Sequence, residues 1–221
     1  MLSCGKISPK GSIQTKAKNI SDFEMIDFNG KFRVFYVKDK TTKIEIETYP
    51  NLMDNLDISV KNNLLKINEK REVKGVDFYN ITVYSKKEPR SIMISDSIEF
   101  NGSSELQADN LQFNLKNSAK FIGAIRTKNT TVEMSEHSLA NIKGYTQNAF
   151  LKLSDSASII APFWEIKSLD LQAKNGSYAE AKVVDELKGN LLDTASLLYY
   201  DQPIKKIKTE KNTKLVNKFA P

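Results

Sequence analysis

The stretch LSDSASI, Leu153–Ile159, sets a short polar segment between two apolar ends. A single copy of this segment could be taken for a serine nucleophile beside an acid. However, related tripeptides recur about every nineteen residues, as NSA, EHS, DSA, NGS and DTA, and they begin at Asn117, Glu136, Asp155, Asn175 and Asp193. Because the recurring positions preserve size and turn chemistry but not acid–base identity, we predict a structural ladder of corners.

Apolar residues flank these corners in columns with the same spacing. Phe113 and Leu115 fall over Val132 and Met134, then over Leu151 and Leu153 and, with a one-residue slip, over Leu169 and Leu171. A second column contains Phe121, Ala140, Ile159, Tyr178 and Leu197. Stacked coils place each strand beside its equivalent above and below, about 4.8 Å apart. The spacing therefore predicts an all-β chain forming a right-handed parallel β-helix, a solenoid with coils of about 19 residues.

The first half alternates apolar and polar residues in short runs but repeats less regularly. Examples are FRVFYV at residues 32–37, KIEIET at 43–48 and NITVYS at 80–85, and period-two alternation indicates strands. We predict that residues 20–97 form a less regular N-terminal β region that caps the β-helix, because solenoids need an atypical cap to cover their terminal edges. Residues 98–215 would form the coils and 216–221 a tail.

The N-terminal sequence MLSCGKISPKGS contains the only cysteine, Cys4, next to small residues. This pattern resembles the end of a bacterial lipobox, in which the cysteine is acylated after cleavage. We predict lipidation at Cys4, with a free surface thiol as the alternative, and we interpret residues 1–19 as a lipobox remnant and tether. Export follows, to an outer-membrane-anchored position on the periplasmic or surface face of the cell envelope.

The composition argues against several kinds of partner. The net charge is +6, and Lys206, Lys208, Lys211, Lys214 and Lys218 make the C-terminal end basic. No nucleic-acid-binding motif accompanies these lysines, so we interpret them as a solubilising edge and predict no nucleic-acid partner. With one histidine, one cysteine and no calcium-binding loop, the sequence also predicts no metal site and no cofactor.

Several segments, in their order along the chain, resemble one known family. They are FEMIDFNGKFRVFYVKD from Phe23, LDISVKNNLLKIN from Leu56, IEFNGSSELQADNLQFNL from Ile98 and LLYYDQPIKK from Leu197. Together with the corners, they make residues 20–215 similar to the head GIN domain family of auto-transporter adhesins, exported lipoproteins of Bacteroidetes. The resemblance implies a β-helical fold and an adhesin-like role.

One column is a candidate for ligand binding. Arg126, Tyr145 and Trp164 occur at nineteen-residue intervals, so on adjacent coils they would stack as a flat face suited to sugar rings or a protein partner. A packing ladder beneath a loop is the alternative interpretation.

The sequence evidence for a catalytic site is weaker than the evidence for this binding column. His137 lies at a corner beside Ser118 and Ser156 of neighbouring coils, but the sequence has no nucleophile elbow, so we predict no catalytic residues. The column of Glu136, Asp155 and Asp193 keeps open a carbohydrate-active enzyme, of the lyase or hydrolase type, as an alternative.

These observations favour an exported, lipid-anchored binding module that recognises glycan or protein through the outer faces of a β-helix, and not an enzyme. A structural envelope protein without a soluble ligand is a third interpretation. The sequence leaves the oligomeric state open.

Overall fold

The computed structural model describes residues 5–219. About 65% of the chain is strand and 2% is helix, which confirms the all-β class. The short helix α1 covers Pro50–Met53, and Pro50 suits its first turn because the missing N–H would have no helical partner there.

The strands fall into an irregular N-terminal set and a regular set. The N-terminal strands are β1 (Gln14–Asn19), β2 (Met25–Gly30), β3 (Arg33–Lys38), β4 (Lys43–Thr48), β5 (Leu56–Lys61), β6 (Leu64–Glu69), β7 (Asn80–Ser85), β8 (Ser91–Asp96) and β9 (Glu99–Gly102). The regular strands are β10 (Leu106–Leu115), β11 (Lys120–Met134), β12 (Leu139–Leu153), β13 (Ser158–Ala173), β14 (Tyr178–Leu191), β15 (Ser196–Tyr200), β16 (Ile204–Thr209) and β17 (Lys214–Lys218).

The regular strands form the predicted parallel solenoid, which has about 7 turns about 19 residues apart. Phe121 lies opposite Ala140 and Ala140 opposite Ile159, so successive coils are stacked in register. The inward side chains are buried. Aromatic rings continue from rung to rung inside the coil, and the ring centroids of Phe100 and Phe121 lie 5.8 Å apart. Each such pair contributes about 0.5–1.5 kcal/mol beyond the area that it buries.

The predicted register is wrong in the fourth coil, and Leu197, which lies opposite Ala179, returns to the predicted column. Leu151 lies opposite Leu171, twenty positions away, whereas the sequence columns placed Leu169 and Leu171 over Leu151 and Leu153. Ala179, and not Tyr178, continues the second column after Ile159. The physical reason is that β13 has one residue more than β12 between the paired positions. The sequence columns had instead implied one residue fewer.

The N-terminal region has an unexpected rung order. β2 pairs in parallel with β6 on one side and with β8 on the other, and β3 pairs in the same way with β7 and β9. The first coil of the chain therefore lies between two coils that come later in the sequence. Parallel stacking begins within residues 20–97, and the antiparallel strands β1, β4 and β5 close this end. We call it the cap end.

The segment predicted as a tether packs on the cap end instead. β1 pairs with β4 over its whole length, Ile7 forms a bridge with Val73, and the Arg71 guanidinium donates to the Gly5 carbonyl from Nη2 at 2.6 Å. The prediction of a free tether is therefore wrong for residues 5–19. The composition hid this contact because every β1 side chain is exposed and only the backbone of the strand is paired.

Candidate binding surface

The corners adopt the backbone that their side chains predict. All five residues of the predicted corner ladder have a positive φ, namely Asn117 (59°), Glu136 (63°), Asp155 (54°), Asn175 (54°) and Asp193 (56°). Glycine, asparagine and aspartate visit this region most readily, because their steric or hydrogen-bonding cost there is small, and Glu136 is the one ladder residue outside these types. Asp96, with φ 60°, extends the ladder by one coil that sequence comparison missed.

Side chains of the ladder bond one corner to the next. The Asn117 amide donates from Nδ2 to Asp96 Oδ1 at 2.8 Å, and the Asn175 amide donates to Asp155 Oδ1 at 2.9 Å. Glu136 accepts the backbone N–H of Asn117 on the coil below. These contacts join successive coils at the corner.

The same contacts argue against a paired-carboxylate site. Glu136 bonds to the coil below, whereas Asp155 accepts from the coil above and from Ser154 Oγ at 2.8 Å. The Asn175 amide, followed by the Ser154 hydroxyl, holds the pKa of Asp155 below its usual value. A general acid of a glycosidase needs a raised pKa, so Asp155 is poorly suited to that task.

His137 lies at an exposed corner, as predicted. Its backbone N–H donates to the Asn117 carbonyl at 2.9 Å. Between residues 5 and 219, no hydrogen bond joins the His137 ring to Ser118 or Ser156. The described part of the chain also has no group of three or more His, Cys, Asp or Glu side chains placed to hold a metal ion. Cys4, the predicted lipidation site, lies outside the described residues.

The predicted stack of Arg126, Tyr145 and Trp164 is half right. Arg126 lies directly opposite Tyr145 on the outer side of the sheet, but Tyr145 lies opposite Glu165. Trp164 lies opposite Gly144 and is fully buried. The extra residue in β13 moves Trp164 by one position, and one position turns a strand side chain to the other face of the sheet. The proposed outer aromatic column therefore loses Trp164.

Inside the coil, Trp164 meets a buried hydroxyl cluster. Its indole Nε1 donates to Thr146 Oγ1 at 2.9 Å, and this oxygen lies 2.8 Å from Thr127 Oγ1 and 3.1 Å from Thr130 Oγ1. All four side chains are at most 5% exposed. Because each polar atom has a partner, the cluster avoids the cost of about 1–3 kcal/mol for an unsatisfied buried group.

A bulge in β13 produces an apolar feature on the outer surface. Ala161 pairs with Ala181 and Glu165 with Lys182, so three residues of β13 have no counterpart in β14. Pro162 cannot donate to a strand ladder, which suits it to a bulge. Phe163 projects from this bulge and is 69% exposed.

Phe163 borders a groove of about 600 Å³ on the outer side of the solenoid. Ile122 and Ile160, which are 40% and 41% exposed, form apolar parts of its lining, and the backbone of Gly102 and Gly123 also borders it. Polar side chains at its margin include Asn101, Asn141, Ser104 and Glu105. We call this feature the Phe163 groove. The sequence signal for it was a proline inside an apolar strand, APFW at residues 161–164.

A polar patch adjoins the groove through a shared residue. Glu105 lines the groove and also accepts from the Arg126 guanidinium at 3.2 Å. A second depression of about 460 Å³ is lined by Arg126, Tyr145 and Lys128, among others. The two predicted residues that remain outside, Arg126 and Tyr145, therefore lie next to the exposed apolar surface.

An asparagine ladder marks another corner that was not predicted. Asn129 donates from Nδ2 to Asn110 Oδ1 at 2.9 Å, and Asn148 donates to Asn129 Oδ1 at 3.1 Å. The nineteen-residue spacing of these three asparagines was a visible signal. The stacked amides satisfy one another's hydrogen-bonding groups between coils, so this ladder stabilises the turn. The candidate binding surface is therefore the Phe163 groove and not this ladder.

Comparison with known proteins supports the fold and a family. A family model described as "Putative auto-transporter adhesin, head GIN domain" matches residues 22–203. No curated protein matches the chain. Within residues 5–219, no helix has the length and apolar content needed to cross a membrane.

Three solved structures have the same fold. A "putative adhesin" from Bacteroides fragilis superposes with a TM-score of 0.86 at 17% identity, over 96% of this chain and 100% of that one. A "putative adhesin" from Parabacteroides merdae gives 0.75 at 18% identity, over 96% and 99% of the two chains. A "putative lipid binding protein" from Parabacteroides distasonis gives 0.78 at 16% identity, over 97% and 100%.

Proposed function

The chain belongs to the head GIN domain family of auto-transporter adhesins, and from this premise we propose that it is a binding module of the cell envelope. Its ligand is a glycan or a protein, and the contact surface is the Phe163 groove with the adjoining patch of Arg126 and Tyr145. The observation that carries the proposal is the exposed apolar surface that Phe163, Ile122 and Ile160 form around one groove. Such patches mark interaction sites in soluble folds.

The groove combines the features of a binding site. Burial of a phenylalanine side chain contributes about 1.5–3 kcal/mol, and Phe163 is mostly free to supply it. Ile122 and Ile160 extend the apolar area, while the Arg126–Glu105 pair and the Tyr145 ring form a polar margin. An apolar centre within a polar margin is the usual arrangement of a protein interface, and an aromatic ring beside amides suits a sugar.

We further propose that Cys4 carries the lipid anchor. Gly5, the next residue, is held to Arg71 at the cap end. An acylated Cys4 would therefore bring the cap end close to the membrane, with the solenoid axis leading away from it. Because residues 5–19 pack on the body, the module would be held near the membrane and would not swing on a tether of fifteen residues.

The module would bind without turnover. The support is the separate engagement of Glu136 and Asp155, which bond to different coils and do not converge on one point. The test is to incubate the wild-type protein with polygalacturonate and alginate and to measure new reducing or unsaturated ends. Release of such ends that disappears in the Glu136→Gln or Asp155→Asn variant would overturn the proposal in favour of an enzyme.

The main experiment compares two matched variants on a glycan array and a panel of extracellular-matrix and envelope proteins. Phe163→Ala removes the exposed ring of the groove, and Phe219→Ala removes another exposed phenylalanine, 86% exposed, in the C-terminal segment. We expect the wild type and Phe219→Ala to bind the same ligand and Phe163→Ala to bind it at least tenfold more weakly. Equal binding by all three proteins, or no ligand for the wild type, would contradict the proposal.

A further inference from the structure

The positive charge of the chain is concentrated at one end of the solenoid. Residues 202–218 contain six lysines and one glutamate, a local charge of +5. The whole chain carries +6, so the remaining residues contribute only about +1. This segment forms β16 and β17, the last rungs of the two sheet faces. We call this end of the solenoid the basic end.

Most of these lysines are available for a ligand. The Lys206 ammonium pairs with Glu186 at 2.6 Å. The other five have no carboxylate of residues 5–219 within ion-pair distance, and all five are exposed: Lys205, Lys208, Lys211, Lys214 and Lys218. A surface on which one sign of charge predominates attracts ligands of the opposite sign.

The lysines follow the rim of the solenoid around a corner. β16 continues the face formed by the second part of β14, whereas β17 continues the face formed by β15. Lys211 lies at the turn between the two strands. A ligand that meets all of these charges must therefore be extended and must bend with the rim.

We propose that the basic end binds an acidic polysaccharide, a polymer with repeated carboxylate or sulfate groups. The polymer would follow the rim from β16 to β17 and pair with successive ammonium groups. This site is separate from the Phe163 groove and does not depend on the function proposed for it.

The register of the last rung disfavours other partners. Lys205 lies opposite the buried Leu187, so a charged residue occupies an inward column at the open edge. An added apolar strand would have to cover that charge, which opposes extension of the core by a partner strand, and a second copy would bring its own lysines. The exposed Ile204 and Val216 alternate with the inward residues and point sideways, which disfavours insertion into a membrane.

The test uses the full chain with fluorescently labelled polymers, measured by anisotropy over a range of salt concentrations. The acidic polysaccharides are dextran sulfate and polygalacturonate, and neutral dextran is the uncharged control. Polyglutamate and vesicles of phosphatidylglycerol in phosphatidylcholine represent the other sources of negative charge. The rim variant carries Lys208→Gln, Lys211→Gln, Lys214→Gln and Lys218→Gln.

A second variant controls for net charge. It carries Lys16→Gln, Lys18→Gln, Lys61→Gln and Lys74→Gln, four exposed lysines of the cap-end half that also lack ion-pair partners within residues 5–219. Both variants lose the same charge. Circular dichroism spectra and thermal midpoints that match the wild type establish that each variant is folded.

We expect the wild type to bind both acidic polysaccharides and not dextran. The rim variant should bind about tenfold or more weakly and with a shallower salt dependence, because fewer counterions are released. The cap-end variant should stay within about twofold of the wild type. No binding by the wild type, equal weakening in both variants, or tighter binding of polyglutamate or vesicles than of either polysaccharide would overturn the proposal. Phe163→Ala should leave polysaccharide binding unchanged, which would show that the basic end and the Phe163 groove are separate sites.

Discussion

Replacement of Trp164 by phenylalanine tests the register on which the binding surface depends. The nineteen-residue repeat would place Trp164 outside, where the substitution would be nearly neutral. The structure buries it completely, and its indole N–H donates to Thr146 Oγ1 at 2.9 Å. The smaller ring leaves a void and removes one hydrogen bond from the hydroxyl cluster.

The size of the effect follows from these two losses. A lost buried hydrogen bond costs about 1 kcal/mol, and removal of part of a buried ring costs a further 1–2 kcal/mol or so. We therefore expect Trp164→Phe to lower the free energy of unfolding by about 2–3 kcal/mol. Phe163→Ala, at the neighbouring exposed residue, should change it by no more than about 0.5 kcal/mol.

The assay is urea unfolding followed by far-ultraviolet circular dichroism for the wild type and both variants. Trp164 is the only tryptophan, so its fluorescence gives an independent measurement. We expect blue-shifted emission that iodide quenches poorly in the native wild type. Strong iodide quenching, or a Trp164→Phe effect no larger than that of Phe163→Ala, would show that Trp164 is not buried in the coil.

Three further perturbations test other parts of the account. Gly189 has φ 120°, and a Cβ there would overlap the Leu171 carbonyl oxygen. Gly189→Ala should therefore destabilise the protein by at least about 2 kcal/mol more than Gly75→Ala, where φ is 61° but no atom lies within 4 Å of the added Cβ. Equal unfolding midpoints for the two variants would contradict this close approach of neighbouring strands. Burial raises the pKa of Glu69 from 4.5 to about 7, so the folded state holds this proton more tightly than the unfolded state. The stability that results is fully present below about pH 4.5 and is lost as the pH rises through about 7. In urea unfolding at pH 5 and pH 7.5, Glu69→Gln should therefore show a smaller fall in the free energy of unfolding than the wild type. An unchanged fall would exclude Glu69 as its source. If Cys4 is the anchor, the protein should incorporate an alkyne-tagged palmitate in the bacterium that makes it and Cys4→Ser should not; equal labelling of both would contradict lipidation at Cys4.

The corners were predictable because their chemistry is local. Asp155 is of a residue type that tolerates a positive φ in turns, so the sequence carries the signal at the position itself. The pairing of Arg126 with Tyr145 was also predictable, because no insertion separates the two coils. Recurrence with changing acid–base identity correctly indicated that LSDSASI forms a bend.

The later register was not predictable from columns alone. Leu169 and Leu171 are both apolar, so an insertion and a deletion give equally good alignments with Leu151. Only pairing across the coils shows that Leu171 is the partner. The same insertion decides that Trp164 is inside and Phe163 outside, so the groove could not be located from spacing.

The order of the N-terminal rungs could not be predicted from the sequence, for a different reason. β2 pairs with β6 and β8, which lie far along the chain, and all three strands have the same alternating pattern. Their patterns fit several neighbours equally well. The pairing of β1 with β4 also leaves no pattern in the sequence, because it uses backbone groups and buries none of the β1 side chains.

The Phe163 groove is tested as the binding surface most directly by hydrogen–deuterium exchange of the protein with and without the ligand identified on the array or panel. We expect slower exchange, on binding, in the segments that line the Phe163 groove, residues 101–105, 122–124, 141–143 and 160–163. The corner residues at 116–119 and 192–195 should be unchanged. Protection confined to the corners, or no protection in the groove segments at saturating ligand, would contradict the account.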